Sequence, residues 1–158
     1  MVTQTRAPKQ IGDFGECLVI YTLVRKGFEV AHVDHIGADL IAEKGGKRYA
    51  ISVKTRLFRE GSKESLMMVV EDTHIKKLEN FSKQFGITPV FAAVICIAGN
   101  KTIHLFMMPV SKIHNILPKV KNGHSLRFGK KRIGELLQND NVDHSSWENE
   151  EIGAKDFA

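Results

Sequence analysis

The chain has 158 residues, of which 42% are hydrophobic and 26% charged. This composition is typical of one compact globular domain and excludes collagen-like, coiled-coil and wholly disordered chains. The longest apolar run, residues 89–98, is about half of the roughly 20 residues that a membrane-spanning helix needs. The first residues carry no apolar segment of the signal-peptide type. We therefore expect a cytoplasmic protein without a membrane partner.

Charge is distributed unevenly along the chain. Residues 139–158 contain six acidic side chains against one basic, a net charge of −5, which leaves 22 basic against 12 acidic side chains, or +10, in residues 1–138. A body this basic favours a polyanionic partner, because each phosphate that it neutralises releases counterions. We expect one domain over residues 1–138 and an acidic, flexible tail over 139–158.

The first half of the chain predicts a helix followed by an antiparallel meander. Asp13 and Glu16 have the spacing of a capping box, and the apolar residues that follow recur at helical spacing. Together these patterns predict a helix over residues 14–26, and we expect its stripe of apolar residues to face the core. Alternation of apolar and polar side chains then predicts strands over residues 28–33, 38–43 and 47–54, with a tight turn between the last two. The stripe consists of Phe14, Cys17, Leu18, Tyr21 and Val24.

The second half predicts a polar loop over 55–65, a short strand over 66–70 and a helix that begins near Asp72 and stops at Gly86. The nearly continuous apolar run 90–98 is typical of a central strand buried on both faces. A further strand over 102–108 and short helices over 111–117 and 133–138 complete the pattern. Six basic side chains without an acid follow the first short helix, and they read equally as a solvated edge or as a surface that tracks phosphates. They are Lys119, Lys121, Arg127, Lys130, Lys131 and Arg132.

One set of polar residues is suited to phosphodiester chemistry. Because side chains alternate along a strand, Ser52 and Lys54 share a face of the third strand. Asp39 on the neighbouring strand can meet Lys54 at one edge of the sheet. There a carboxylate can hold a hard divalent cation while the lysine orients a water molecule.

The spacing of four motifs resembles that of the PD-(D/E)XK nuclease superfamily, and within it the archaeal Holliday-junction resolvases and small restriction-endonuclease-like proteins. The resemblance is close over residues 12–56 and holds only in the order of elements over 66–108. It implies an α/β restriction-endonuclease-like fold, in which a mixed central sheet with an antiparallel meander is flanked by helices. The motifs are Gly15-Glu16, residues 26–30, residues 37–42 and residues 49–56.

The resemblance also implies the roles of individual residues. Asp39, Glu16 and the carbonyl of Val53 would hold Mg²⁺ or Mn²⁺, and Lys54 would orient the attacking water. DNA, duplex or branched, would be the substrate, and two symmetric cuts would need a homodimer. We expect Arg56, Arg59, Lys63, Lys130, Lys131 and Arg132 to contact nucleic acid.

Ser52 departs from the family pattern, which has a carboxylate or glutamine in its place. Three explanations are open. The missing acid could come from the following helix, with Glu71 and Glu79 as candidates. Alternatively, Glu16 and Asp39 could suffice for one metal ion, because magnesium commonly keeps several waters. In the third explanation the site is inactive and the protein is a nucleic-acid-binding module. In an active site, Ser52 would contribute a hydroxyl or line the pocket.

We therefore expect a DNA-binding, magnesium-dependent endonuclease. The alternatives are a non-catalytic nucleic-acid-binding module and a structural subunit of a nuclease or defence complex, each on the same fold. Each site residue also has a structural interpretation: Glu16 as part of a capping box, Asp39 as a surface acid and Lys54 as the solvated end of a strand. The joint spacing of the three residues favours the functional interpretation.

Overall fold

A computed structural model of the protein describes residues 6–59 and 66–148. Its strands form two sheets, and the predicted α/β class with a mixed central sheet is confirmed. The helices are α1 (Ala7–Arg25), α2 (Asp72–Phe85), α3 (Ile113–Ile116) and α4 (Lys130–Leu137). The strands are β1 (Glu29–His35), β2 (Ala38–Lys44), β3 (Lys47–Phe58), β4 (Met67–Glu71), β5 (Thr88–Ile97), β6 (Thr102–Pro109), β7 (Lys119–Val120), β8 (Gly123–Arg127) and β9 (Asp143–Glu148).

The large sheet has six strands in the order β1-β2-β3-β5-β6-β9. The pairing of β3 with β5 is parallel, and the other neighbours in this sheet are antiparallel. One face of the sheet packs on α1 through a cluster that includes Val19, Leu40 and Ile51. The other face forms a larger core with α2 and the small elements that follow β6.

The small sheet has the order β4-β8-β7, with both pairs antiparallel. Its inner side belongs to the larger core, in which Met68, Val70 and Leu126 are buried. Gly123 is required where β8 pairs with β4, because a Cβ there would collide with the backbone carbonyl of Val70. The sequence patterns do not predict β7 or β8, since each is short and gains its partner only through the fold.

Helix α1 begins earlier than predicted, and the predicted capping box is wrong. Pro8 lies in the first turn, where its missing N–H group costs no hydrogen bond, and no side chain caps this end. Asp13 lies inside the helix and pairs with Lys9, one turn earlier, at 2.7 Å. Glu16 is therefore free of a capping role.

Most of the stripe expected to face the core is exposed instead, and only Leu18 of its five residues packs against the core. Phe14, Tyr21 and Val24 are 40%, 50% and 54% exposed, and Cys17 is exposed as well. The helix instead buries Gly15, Val19, Thr22 and Leu23, because apolar residues occur on both of its sides and the sheet selects only one.

Other local predictions are confirmed. Helix α2 ends at Gly86, whose φ of +68° is the left-handed conformation that favours glycine. Strand β5 is buried from Phe91 to Ile97, as a strand covered on both faces requires. Strand β3, in contrast, continues to Phe58 through part of the segment predicted as a polar loop. The rest of that loop, residues 60–65, lies outside the described residues.

Part of the predicted acidic tail belongs to the sheet. Residues Asp143–Glu148 form β9, which pairs with β6 along its whole length. His144 on β9 lies 3.1 Å from His104 on β6, between Nε2 and Nδ1, and Asp143 pairs with Lys26 at the end of α1. The boundary predicted at residue 138 therefore does not separate the tail from the fold, and the remaining tail residues, 149–158, lie outside the described part. Among residues 6–59 and 66–148, no helix has the length and apolar character to cross a bilayer.

Close packing of α1 on β3 depends on one glycine. A Cβ at Gly15 would overlap the side chain of Thr55, whereas a Cβ at Gly12 would meet nothing within 4 Å. We predict that Gly15→Ala lowers the free energy of unfolding by about 1–3 kcal/mol, because helix and strand must move apart. Gly12→Ala, the control in the same helix, should raise it by up to about 1 kcal/mol through helix propensity. Urea unfolding of both variants measures the difference, and equal effects would contradict the packing argument.

Candidate active site

Asp39 lies at the start of β2, where the meander reaches its open end. The β2–β3 register pairs Leu40 with Ile51, so the next step along the strands brings Asp39 beside Ser52. The N–H of Val53 donates a hydrogen bond of 2.7 Å to Asp39 Oδ2. A charge-assisted bond of this kind fixes the carboxylate on the strand that also carries Lys54.

Lys54 points from β3 towards the free edge of β4. Its Nζ donates to the carbonyl of Val69 at 3.1 Å and lies 3.5 Å from Glu71 Oε1. The side chain of Lys54 is 27% exposed. Two contacts from one strand therefore hold the ammonium group in place while part of it stays accessible.

Glu16 reaches the same region from α1, on the opposite side of β3 from α2. Burial of the Glu16 carboxylate raises its pKa, the nearby charge of Asp39 raises it further, and His32 acts in the opposite direction. His32 Nδ1 lies 3.5 Å from Glu16 Oε2. The two acids are thus close enough to repel each other across the end of the sheet.

This donor set fits a hard divalent cation better than it fits zinc. In residues 6–59 and 66–148, no three His, Cys, Asp or Glu side chains converge into a ready cage, which a structural zinc site would require. Magnesium commonly takes one or two carboxylates and keeps several waters. Glu16 and Asp39 provide two carboxylates whose mutual repulsion a cation would relieve.

Glu71 reaches Lys54, but Glu79 does not, although the sequence offers both as replacements for the carboxylate missing at Ser52. Glu71 lies at the junction of β4 and α2, with its side chain beside the lysine. Glu79 is exposed on α2, and no contact joins it to the lysine in the described part of the chain. Ser52 itself is half-buried on β3.

The residues predicted to contact nucleic acid differ in their surroundings. Arg56 and Arg59 are exposed near the end of β3, and Lys130 and Lys131 are exposed at the start of α4. Arg132 is engaged within the protein, where it pairs with Glu135 and donates to the carbonyl of Ile116. The prediction for Lys63 lies outside the described residues.

Two contacts of the site escape the sequence patterns. His32 reads in the sequence as an ordinary polar residue, although the alternation of β1 is enough to place it on a strand beside β2, opposite Leu40. Val69 contributes only its carbonyl, and no sequence signal distinguishes a backbone acceptor. Its contact with Lys54 spans 15 residues and arises only when β4 packs beside β3.

Comparisons with known proteins identify the family and the fold of the chain. A family model described as PD-(D/E)XK endonuclease matches residues 6–142, while no curated protein matches the chain. Among solved structures, Hjc, a Holliday junction resolvase from Archaeoglobus fulgidus, has a TM-score of 0.57 and 19% identity, over 78% of this chain and 88% of its own. A bacterial homing endonuclease, I-Ssp6803I, has a TM-score of 0.48 and 12% identity, over 78% and 79%. The similarity to Hjc confirms the predicted restriction-endonuclease-like fold.

Burial of the Glu16 carboxylate and its repulsion from Asp39 both raise its pKa, and together they predict opposite effects on stability and on metal binding. A carboxyl whose pKa is raised by folding binds more protons in the folded state, so its charged form opposes folding at neutral pH. Glu16→Gln should therefore raise the melting temperature at pH 7 without metal and weaken Mn²⁺ binding by roughly tenfold or more. In the parent, affinity should fall as the pH drops through the raised pKa of Glu16, and this step should be absent from the variant.

Calorimetric titration between pH 8 and pH 5 measures these affinities. Asp13→Asn is the matched control, since Asp13 is an exposed acid of the same helix whose partner is Lys9. Mn²⁺ affinity that is equal in the parent and in Glu16→Gln would remove Glu16 from the metal site.

Proposed function

The chain belongs to the PD-(D/E)XK endonuclease family, and we propose that it hydrolyses phosphodiester bonds of duplex or branched DNA with Mg²⁺ or Mn²⁺ bound at Asp39 and Glu16. The observation that carries this proposal is the convergence of α1, β2 and β4 on the segment of β3 that contains Val53 and Lys54. Asp39 is fixed by Val53, and Lys54 is fixed by the edge of β4. Glu16 approaches Asp39 from α1.

The residues of the site have separate roles in this proposal. When bound, the cation would polarise the phosphate and lower the pKa of an attacking water. Asp39 and Glu16 would hold it, with the carbonyl of Val53 as a further oxygen ligand. Lys54 orients the water and faces the negative charge that develops on the phosphate, since its ammonium group is positioned by Val69 and stays partly exposed.

We assign to Glu71 part of the role of the carboxylate that is missing at Ser52. Its distance of 3.5 Å to Lys54 Nζ supports this assignment, and its position between β4 and α2 brings a negative charge to the lysine from a different element. In this role Glu71 keeps Lys54 oriented and accepts a hydrogen bond from the water. Ser52 lines the pocket with a neutral hydroxyl.

DNA is the proposed partner because the body of the protein is basic and because phosphodiester hydrolysis is the activity that this family's name describes. The structural relative Hjc is a Holliday junction resolvase, which makes a four-way junction the first branched substrate to test. We propose a homodimer for that substrate, since two symmetric cuts need two sites. Sedimentation of the protein with and without the junction measures this stoichiometry.

A non-catalytic DNA-binding module is the second candidate function. Ser52 favours it, because a neutral hydroxyl is a weak magnesium ligand in place of a carboxylate. The convergence of Glu16, Asp39 and Lys54 argues against it, since DNA binding alone gains nothing from two carboxylates that repel each other and the phosphates. Cleavage assays separate the two candidates.

The first prediction concerns the cleavage reaction. With Mg²⁺ or Mn²⁺, the parent should cut duplex or four-way-junction DNA. Asp39→Ala and Lys54→Ala should each reduce kcat by about 10²-fold or more while leaving DNA affinity within a few-fold, because they remove groups that act in the transition state. Gel-based cleavage and fluorescence anisotropy measure the two quantities.

Lys47→Ala is the control for this experiment. Lys47 is exposed at the opposite end of β3 from Lys54, so the substitution removes the same charge from the same strand without touching the site. Cleavage that survives in both Asp39→Ala and Lys54→Ala would place the activity elsewhere.

The second prediction uses the departure at Ser52. Since Asp39 and Ser52 are neighbours across β2 and β3, a carboxylate in Ser52→Glu would lie within reach of the same cation. We expect tighter Mg²⁺ binding and a several-fold gain in cleavage. Glu71→Ala should reduce cleavage in the parent, and Glu79→Ala, an acid on the same helix without a contact to Lys54, should not.

These variants also separate the three explanations of Ser52. Glu71 is the supplementary acid if Glu71→Ala lowers cleavage and Ser52→Glu restores it. Glu16 and Asp39 suffice if Glu71→Ala has no effect. An inactive parent that Ser52→Glu does not activate would support the non-catalytic module.

A further inference from the structure

The outer face of the small sheet carries a second set of residues suited to DNA. Along β4, Met68 and Val70 are buried in the core, so Met67, Val69 and Glu71 face outwards. The β4–β8 register pairs Met67 with Arg127 and Val69 with Ser125. One end of this face therefore holds Glu71, beside Lys54, and the other end holds Arg127.

Two cavities cover this face and meet at Val120. The first has a volume of about 740 Å³ and includes Glu71, Lys121 and Asn122 in its lining. The second, of about 760 Å³, includes Met67, Arg127 and Lys131. Val120 is in both linings, and we call the open surface that the two cavities line the channel; it runs from the acid beside Lys54 to the cations near the start of α4.

The cations of the channel differ in whether an acid neutralises them. Lys119 pairs with Asp72, and Arg132 pairs with Glu135. Lys121, Arg127 and Lys131 are exposed, and within residues 6–59 and 66–148 none of the three has an ion-pair partner. The floor of the channel is apolar and consists of Met67, Val69 and Val120. Three unneutralised cations along this floor can bind the phosphates of a DNA strand while its sugars lie over the apolar side chains.

The length of β4 sets the distance along DNA between the two ends of the channel. Glu71 and Met67 are four residues apart on β4, a distance of about 13 Å along the strand. Duplex DNA advances about 3.4 Å per base pair, so this distance corresponds to about four base pairs. Lys54 and Arg127 can therefore contact the same DNA molecule.

We propose that the channel, defined by Met67, Val69, Val120, Lys121, Arg127 and Lys131, binds the DNA backbone about four base pairs from the bond that is cut. This inference rests on the proposed function for the position of the cleaved bond, and it adds a binding surface outside the PD-(D/E)XK site. The small sheet holds the substrate arm in register with Lys54, because β4 belongs to both sites. A binding surface of this kind lowers KM and leaves the chemical step unchanged.

The test compares two double variants of the 158-residue chain. Arg127→Ala with Lys131→Ala removes two channel cations, and Lys47→Ala with Lys83→Ala removes two exposed cations at the far end of β3 and the last turn of α2. Each is measured on a 24-base-pair duplex and on a four-way junction, in an Asp39→Ala background for binding and in the parent background for cleavage. Circular dichroism and thermal melting check that both fold.

For the channel variant we expect the slope of log affinity against log salt to become less steep by about 1.8, because each phosphate that the protein no longer neutralises accounts for about 0.9 of the slope. Its KM should rise while kcat stays within a few-fold, and the control variant should match the parent. A photo-crosslinker at position 120 should attach to the DNA backbone. An unchanged slope, a control whose slope flattens as much, or a crosslink to protein in place of DNA would overturn the proposal.

The same data distinguish this proposal from the proposed function. A parent that binds through the channel but cuts nothing with Mg²⁺ or Mn²⁺ would refute hydrolysis and leave the channel standing. Cleavage that depends on Asp39, together with a channel variant that behaves like the parent, would refute the channel and support hydrolysis. A parent without affinity for DNA would refute both.

Discussion

The parallel pairing of β3 with β5 is the constraint from which the arrangement of the site follows. The two strands pair from Tyr49 to Phe58, and parallel neighbours cannot be joined by a tight hairpin. The chain must therefore cross over one face of the sheet between residues 58 and 88. In this protein the crossover contains β4 and α2, and it passes the end of β3 where Lys54 lies. The contacts of Lys54 with Val69 and Glu71 are a consequence of that path.

The site also shows a conflict between stability and chemistry. Glu16 and Asp39 are brought together although burial and mutual repulsion raise the pKa of Glu16. His32 relieves part of this cost from β1, and Val53 satisfies one oxygen of Asp39. Proteins commonly tolerate such local conflict where function requires it. A surface that served packing alone would not gather two carboxylates at one end of a sheet.

Sequence reasoning reaches the parts of the fold that are encoded locally. Alternation locates β2 and β3, and with them the positions of Asp39, Ser52 and Lys54 on neighbouring strands. A start near Asp72 and a glycine stop at Gly86 locate α2. The start of α1 escapes prediction because Asp13 and Glu16 have capping-box spacing by coincidence, while Pro8 marks the true first turn. The exposed side of α1 escapes it because apolar residues lie on both faces of the helix.

The features that could not be predicted depend on pairs far apart in the chain. Strand β9 has a polar and acidic sequence, and it becomes a strand only because β6 offers it an edge. Strand β7 has only two residues, and β8 contains Gly123, His124 and Ser125 in place of an alternating apolar pattern, yet both complete the sheet that begins with β4.

In the proposed function, the small sheet accommodates the departure from the family motif at Ser52. On β3, a carboxylate at position 52 would be fixed to the strand of Lys54, whereas Glu71 is carried by a separate element that packs against it. The crossover that supplies this acid also supplies the backbone carbonyl that holds Lys54 and, at the other end of β4, the channel that leads to Arg127. Displacement of β4 would therefore alter the lysine, its acid and the channel together, because one five-residue strand connects all three.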